Sequence, residues 1–367
     1  MKRFFDIRNE EVLKKDWTFE KIDPKKYAKG LLVIGATSFI GAQTLTELFK
    51  IWNNDIHILV RAENKKAAIK RMDDIFAKWQ LPACQHDKLT YHVGDLFADN
   101  WGLSDEEYFD IQKSVGYVVH FAIYARYHLP YSHFKKEWLP DFLKMIDYCT
   151  NPEYPKSFHY PSSYSSHFLE DDEDFARLNT SVWHSGYTGF KWVTEQILRR
   201  AISGNMKGCI YDIPLVIGSH KNGIGPDAYF TWQVTELFIK TGIYTSFDFK
   251  VISVDILGQI IARNITNELT NEASTYIRPV FPEPITQDLF VEFAKTKGFD
   301  VKHGTVKDII KKVNKPGRVS FIMPDDFYEL IKKVHKFKHI YPQNLDTSEF
   351  PTGVETWMKN LEYLFPE

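Results

Sequence analysis

The chain has 367 residues, of which 44% are apolar, 15% aromatic and 26% charged, a globular composition that excludes collagen-like, low-complexity and disordered chains. Forty-six Lys and Arg stand against 48 Asp and Glu, a formal charge of -2, so no global field recruits nucleic acid or an anionic membrane. The length suits two domains, or one large sheet domain carrying a lobe.

Cys84, Cys149 and Cys209 are odd in number and far apart, which fits neither a disulfide framework nor a zinc cluster. A reducing compartment and no metal site are expected. Residues 1–9 mix charges of both signs with Phe and lack the apolar run of a signal peptide, so the expected location is cytoplasmic. The charge-free stretch 30–46 is interrupted by Gly35 and Gly41 and studded with Thr, Ser and Gln. It reads as a strand and a helix start, not as a membrane span.

In chain order, residues 1–29 are rich in charge and aromatics and read as a lead-in packed on the outside of a sheet. Residues 31–36 are apolar on both faces and end in a Gly turn, as a central parallel strand should. A helix follows over 40–52, a strand over 56–60, a helix over 65–79, a strand over 89–93 and a polar helix over 104–113. Then come a strand over 117–122, a helix over 133–148, a strand over 157–163, a helix over 188–202 and a strand over 209–217. Strands and helices alternating through short connections predict an α/β fold, a Rossmann-type doubly wound parallel sheet. Past residue 218, Pro226, Pro279, Pro282 and Pro284 punctuate shorter elements ahead of a Lys-rich tail. The expected organisation is therefore the lead-in over 1–29, a dinucleotide-binding domain over 30–218, and a smaller C-terminal substrate-binding domain over 219–367, some segments of which return to the first.

The run Gly35, Ala36, Thr37, Ser38, Phe39, Ile40, Gly41 sits at the first strand-to-helix junction, where a helix N-terminus presents backbone N–H groups to a pyrophosphate. Ser38 stands where such turns usually carry a middle glycine. Its Cβ crowds the approach to phosphate, although its hydroxyl can donate to an anion. The second strand ends in Arg61 and not in an acidic residue; a guanidinium suits a 2′-phosphate, so NADP(H) is favoured over NAD. Lys65, Lys66 and Arg71 add to the local positive field. Asp95, at the end of the third strand, either hydrogen-bonds an adenine or caps the next helix.

Tyr187 and Lys191 are four apart on a helix and so share a face. An adjacent ammonium stabilises a phenolate, which makes Tyr187 a usable proton donor near neutral pH. The end of the fifth strand offers Ser163, or alternatively Ser162, to hydrogen-bond a substrate carbonyl oxygen that Tyr187 protonates. Either serine could instead cap the following loop.

With these residues in hand, the chain resembles an extended short-chain dehydrogenase/reductase. Within that superfamily it is most similar to the thioester reductase domains of nonribosomal peptide synthetases and carboxylic acid reductases. The resemblance is carried by the turn at 35–41, Leu59-Val60-Arg61-Ala62, Gly94-Asp95-Leu96, Val119-His120-Phe121-Ala122, Pro130-Tyr131, Ser162-Ser163, Gly186-Tyr187 with Lys191-Trp192 and Glu195, and Val254-Asp255. It implies that Thr37, Ser38, Phe39 and Ile40 line the pyrophosphate, Arg61 and Arg71 the 2′-phosphate, and Asp95 and Leu96 the adenine. Ala122 would lie under the cofactor, with Pro214, Leu215 and Val216 near the nicotinamide and Lys191 on its ribose. Departures from the pattern are Ser38 for Gly, Glu137 for a helix Asn, and Asp212-Ile213-Pro214 for Arg-Pro.

The resemblance further implies NADPH-dependent reduction of an acyl thioester to an aldehyde or alcohol. The acyl group would be held on the phosphopantetheine arm of an acyl or peptidyl carrier protein met in trans, or on CoA. The basic residues 332–339 could dock an acidic carrier or simply be solvated, and the acidic residues 170–174 are read as a solvated loop near the substrate mouth. Tyr229, Phe230, Trp232, Phe238, Tyr244 and Phe247 are read as core, with some available to face an apolar acyl chain. Tyr124, Tyr127 and His128 are placed to touch substrate, with His128 equally readable as a surface residue. The alternatives are a ketone or alcohol dehydrogenase, a sugar-nucleotide epimerase or dehydratase, and a non-catalytic NADP-binding sensor.

Overall fold

The computed structural model describes residues 4–123, 129–167, 177–179, 186–226, 230–246, 248–270, 272–281, 283–313 and 352–365. The expectations placed on Tyr124, Tyr127, His128, Tyr229, Phe247 and residues 170–174 and 332–339 lie outside them. The chain divides into two compact units, one of Met1–Asp212 with Leu257–Ile277, the other of Ile213–Ile256 with Arg278–Glu367.

The first unit holds one sheet of seven strands: β1 (Gly30–Ile34), β2 (Ile56–Val60), β3 (Leu89–Val93), β4 (Val115–His120), β5 (Ser157–Pro161), β6 (Gly208–Tyr211) and β7 (Tyr276–Ile277). Their order is β7-β6-β5-β4-β1-β2-β3 and every pairing is parallel. This is the doubly wound α/β architecture, and the strand order reverses between β1 and β4, the switch point beyond whose carboxyl ends such folds bind ligands. Leu31, Leu32, Val33 and Ile34 are buried in succession because both faces of the sheet are covered. The connecting helices are α1 (Phe39–Ile51), α2 (Lys65–Lys78), α3 (Asp105–Ser114), α4 (Tyr131–Glu137), α5 (Leu139–Cys149) and α6 (Gly186–Ser203).

Several boundaries depart from the sequence expectation. The strands expected over 31–36, 117–122 and 157–163 stop at Ile34, His120 and Pro161, so Gly35, Phe121 and Ser162 open loops at the carboxyl edge. The helix expected over 133–148 is two helices. Pro140 lacks an N–H and its ring opposes the carbonyl four residues back, so α4 ends at Glu137 and α5 starts at Leu139. The strand expected over 209–217 is also two, with Pro214 between them. β6 stays in the sheet, while Leu215–Ile217 pairs in parallel with Val251–Ser253 in the second unit.

The lead-in is woven into the first unit. Phe4–Asp6 pairs antiparallel with Arg177–Asn179. Ile7, Val12, Leu13 and Trp17 are buried, as is Glu10, whose Oε2 accepts from Lys135 Nζ of α4 at 2.9 Å. Phe19 then donates its N–H to the Gly204 carbonyl, just past α6.

The second unit contains helices Phe230–Thr241, Gln287–Thr296, Val306–Val313 and Gly353–Leu364 and is cored by Trp232, Phe238, Phe290, Phe293 and Trp357. Trp232 and Phe238 are thus core residues. Asp255 is buried and accepts from Ser253 Oγ at 2.7 Å, Ser219 Oγ at 2.9 Å and the His220 N–H at 3.1 Å, which fixes the turn after Ile217.

Within the first unit the buried His159 of β5 lies with its Nε2 3.0 Å from Glu268 Oε2, and Ser157 Oγ donates to Glu268 Oε1 at 2.7 Å. Burial pushes the Glu268 carboxyl up, but His159 and Ser157 outweigh it and hold it below its ordinary value of 4.5. A depressed carboxyl contributes stability that is complete above the unfolded value and disappears as pH falls through the folded one. Glu268→Gln should accordingly flatten the decline of urea stability below about pH 4.5 relative to wild type. An identical decline in both proteins would assign it to other carboxylates.

Candidate active site

Parallel register brings the carboxyl ends of the strands to one edge. Ile34 is level with Leu59 and His120, Val60 with Val93, and Pro161 with Tyr211. Gly35, Arg61, Asp95, Ala122 and Ser163 all leave the sheet there. Gly35 has φ +81°, and a Cβ on it would lie 2.6 Å from the Ala122 nitrogen, so its backbone conformation and its closeness to the β4 loop both demand glycine. A Cβ on Gly41 would collide with the Gly35 carbonyl. The first turn of α1 therefore presses on the end of β1, leaving a concave rim of backbone at a helix N-terminus, where N–H groups and the helix dipole favour an anion.

Ser38 is the N-cap of α1 and its Oγ accepts the Gly41 N–H at 3.0 Å. It occupies one donor that a middle glycine would leave open, and as a hydroxyl it can offer its own hydrogen in exchange. Phe39 turns inward against Trp79, ring centroids 4.6 Å apart, so it presents backbone to the rim. Thr37 and Ile40 are half-buried beside it.

Beyond β2 the side chains of Arg61 and Arg71 are exposed. Arg71 donates from Nη1 to the Arg61 carbonyl at 2.5 Å, and Arg61 Nη1 lies 3.6 Å from Asp95 Oδ2. Asp95 does not cap a helix. Its Oδ1 accepts the Phe97 N–H at 3.1 Å, closing a local turn, and the helix-capping oxygen for α3 comes from Ser104. Leu96 is half-buried next to it, and Lys65 and Lys66 are solvated helix surface.

On α6, Tyr187, Lys191, Glu195 and Arg199 recur every four residues, a polar stripe on a helix otherwise sunk in the core. Tyr187 and Lys191 are both buried, and Lys191 Nζ lies 5.9 Å from the Tyr187 ring centre. The ammonium donates to the Pro161 carbonyl at 2.6 Å and reaches Tyr160 Oη at 3.4 Å, which ties α6 to the last residue of β5. Burial pulls the Lys191 amine down from 10.5 to about 7, against the opposing charge of Glu195. His120, at the end of β4, is pulled down by burial to about 4 and is a neutral imidazole.

The two candidate serines are separated by their surroundings. Ser162 is buried and donates its hydroxyl to Glu195 Oε2 at 2.6 Å, whereas Ser163 is half-buried at the sheet edge. Glu195 is 1% exposed and also accepts Ser166 Oγ at 2.9 Å, while Arg199 grips its other oxygen through Nε at 3.0 Å and Nη2 at 2.7 Å. The motif around Glu195 assigns it no role, and the four-residue repeat through 187, 191, 195 and 199 is the signal in the sequence that points to one. Tyr160, which donates to or accepts from Thr194 Oγ1 at 2.9 Å, had no signal in the sequence.

The structure thus brings Gly35, Thr37, Ser38, Phe39, Ile40, Gly41, Arg61, Arg71, Asp95, Leu96, Ala122, Ser163, Tyr187 and Lys191 into one unit, and Pro214, Leu215 and Val216 into the other. Glu137 is half exposed and pairs with Lys136 at 3.4 Å, so its departure from Asn puts no carboxylate in the core. Among the described residues no group of His, Cys, Asp and Glu could hold a metal ion, and no helix is long and apolar enough to cross a membrane.

The sequence profile of the family described as male sterility protein, an NAD-binding family, matches residues 33–261. The chain is 24% identical over 307 residues to a linear gramicidin synthase polypeptide of Brevibacillus parabrevis, a match covering 81% of this chain and 6% of that protein. It is 23% identical over 300 residues to L-2-aminoadipate reductase of Schizosaccharomyces pombe, covering 75% of this chain and 21% of that enzyme, so it spans only a fraction of either relative's length. The fold is shared with the terminal R domain of the myxalamid PKS-NRPS biosynthetic pathway, at a TM-score of 0.69 and 17% identity over 96% of each chain. With the profile covering more than half of the sequence, this chain belongs to the NAD-binding male sterility protein family, and it is an oxidoreductase that shares its fold with that R domain.

Proposed function

We propose that this chain is an NADPH-dependent reductase that takes an acyl thioester from the phosphopantetheine arm of an acyl or peptidyl carrier protein, or from CoA, and releases an aldehyde, which a further round would carry to the alcohol. The observation that carries the reading is that buried Lys191, on the same helix as Tyr187, donates to the carbonyl of Pro161, two residues before Ser163, at the sheet edge that also carries the glycine-walled turn into α1. The names of the relatives support the substrate class: a gramicidin synthase and an aminoadipate reductase. The second unit is read as the part that receives the acyl chain, and the free thiols of Cys84, Cys149 and Cys209 suit a reducing, cytoplasmic setting.

The residues present fit a dinucleotide phosphate. Gly35 and Gly41 leave a cradle that a Cβ would fill, so the α1 N-terminus and the Ser38 hydroxyl would hold the diphosphate, Arg61 and Arg71 the 2′-phosphate, and Asp95 and Leu96 the adenine. When bound, the nicotinamide supplies a hydride to the thioester carbonyl carbon. Ser163 donates a hydrogen bond to the carbonyl oxygen and Tyr187 gives it a proton, so negative charge never accumulates there. Lys191 steadies the phenolate left on Tyr187 and reaches the ribose hydroxyls. Its amine, lowered to about 7, exchanges protons readily near neutral pH. The tetrahedral product then expels the thiol, leaving the aldehyde.

The direct test is the decay of NADPH absorbance on adding acyl-pantetheine, acyl-carrier and acyl-CoA thioesters, with aldehyde trapped as product; absence of oxidation with all three overturns the reading. Tyr187→Phe should lower turnover by roughly 10²–10⁴-fold while leaving NADPH affinity intact, since it removes only the proton donor. Retained turnover would move that role elsewhere. Arg61→Ala should weaken NADPH binding about tenfold with little change for NADH. Equal losses with both would make Arg61 a structural residue. Ser38→Gly should cost only a few tenths of a kcal/mol in urea stability and leave NADPH affinity equal or tighter. Marked weakening would mean the hydroxyl itself grips the diphosphate.

A further inference from the structure

We infer that Glu195 is a positioning residue, holding the turn that carries Ser163 against the helix that carries Tyr187 and Lys191; the inference rests on the reductase reading of this site. Ser162 and Ser166 flank Ser163, and both donate their hydroxyls to the same carboxylate oxygen, at 2.6 and 2.9 Å. The Ser166 N–H closes the turn onto the Ser163 carbonyl at 2.9 Å. The other carboxylate oxygen is gripped twice by Arg199, whose guanidinium lies 4.5 Å from the centre of the Tyr276 ring on β7.

A carboxylate 1% exposed is costly in a core, and an apolar side chain of similar size would fill the space at less expense. What the carboxylate does that a leucine cannot is accept two hydroxyls from one turn while its partner cation sits on the outer side. Glu195 is one helical turn beyond Lys191 and two beyond Tyr187. Phenol, amine and anchor thus stand on a single rigid element, and the loop bearing Ser163 is bolted to that element on both sides of the serine. Lys191 adds a third tie through the Pro161 carbonyl, immediately before Ser162.

The test uses the full chain and the variants Glu195→Gln, Glu195→Ala and Ser166→Ala, with two readouts. In amide hydrogen exchange, Glu195→Ala and Ser166→Ala should speed exchange in the 162–167 segment about tenfold, with protection of β1 and β4 unchanged. In steady-state reduction of an acyl-pantetheine thioester, both should lower kcat, Glu195→Ala by about a hundredfold, with the KM for NADPH unchanged. Glu195→Gln, whose amide oxygen still accepts a serine hydroxyl, should recover most of that loss. Unchanged exchange in the 162–167 segment overturns the inference, and so does a fall in kcat accompanied by loss of protection across the whole sheet. A wild-type chain that binds NADPH but reduces no thioester overturns the substrate reading instead, and the anchoring of the turn is then decided by exchange alone.

Discussion

The bond from the Lys191 ammonium to the Pro161 carbonyl is the contact on which the arrangement of the site depends. It fastens a helix to the carboxyl end of a central strand through a group that water cannot reach. An amine so placed is poorly solvated, which is why its proton affinity drops toward neutrality. The backbone carbonyl, the rings of Tyr160 and Tyr187 and the charge of Glu195 supply what water does not. Because strand ends are fixed by the parallel ladder, anything attached to Pro161 inherits the register of the sheet. The phenol one turn earlier on the helix inherits it as well.

The nucleotide side of the crevice is built on the opposite principle. Gly35 and Gly41 form it by what they lack, and the cations at its outer end are held weakly. The Arg61–Asp95 pair is 3.6 Å apart with both side chains well exposed, and such pairs contribute little to stability. The 2′-phosphate of the proposed cofactor would therefore take Arg61 from Asp95 at small cost. In the proposed reading, rigid backbone would meet the diphosphate and loosely committed charges the ribose end, a site shaped before binding and electrostatically completed by it.

Much of the first unit was legible because buried parallel strands are written as uninterrupted apolar runs, as in residues 31–34 and 115–119, and because glycine at 35 and 41 has a steric reason that survives without any alignment. Pro140 and Pro214 were equally legible as breaks, yet the apolar periodicity on either side of each masked them. The seventh strand, Tyr276–Ile277, is two residues long and joins the sheet from a distant part of the chain, so nothing local announced it. Tyr187 and Lys191 could be paired by spacing alone, whereas the bond from Ser162 to Glu195, a contact across 33 positions, leaves no local trace in the sequence. Asp95 misleads locally: a short acceptor before a helix looks like a cap, and its carboxylate instead accepts the N–H of Phe97 two residues on.

The path of residues 4–19 has a mechanical consequence. They run from the ladder with Arg177–Asn179, past Lys135 on α4, to the carbonyl of Gly204 beyond α6, so they girdle the helix that bears the phenol and the amine. Fraying or clipping of that belt would be transmitted to the chemistry without touching a single residue of the crevice. Engineering that trims the protein to its central sheet would strip the outer support from the helix that carries Tyr187 and Lys191.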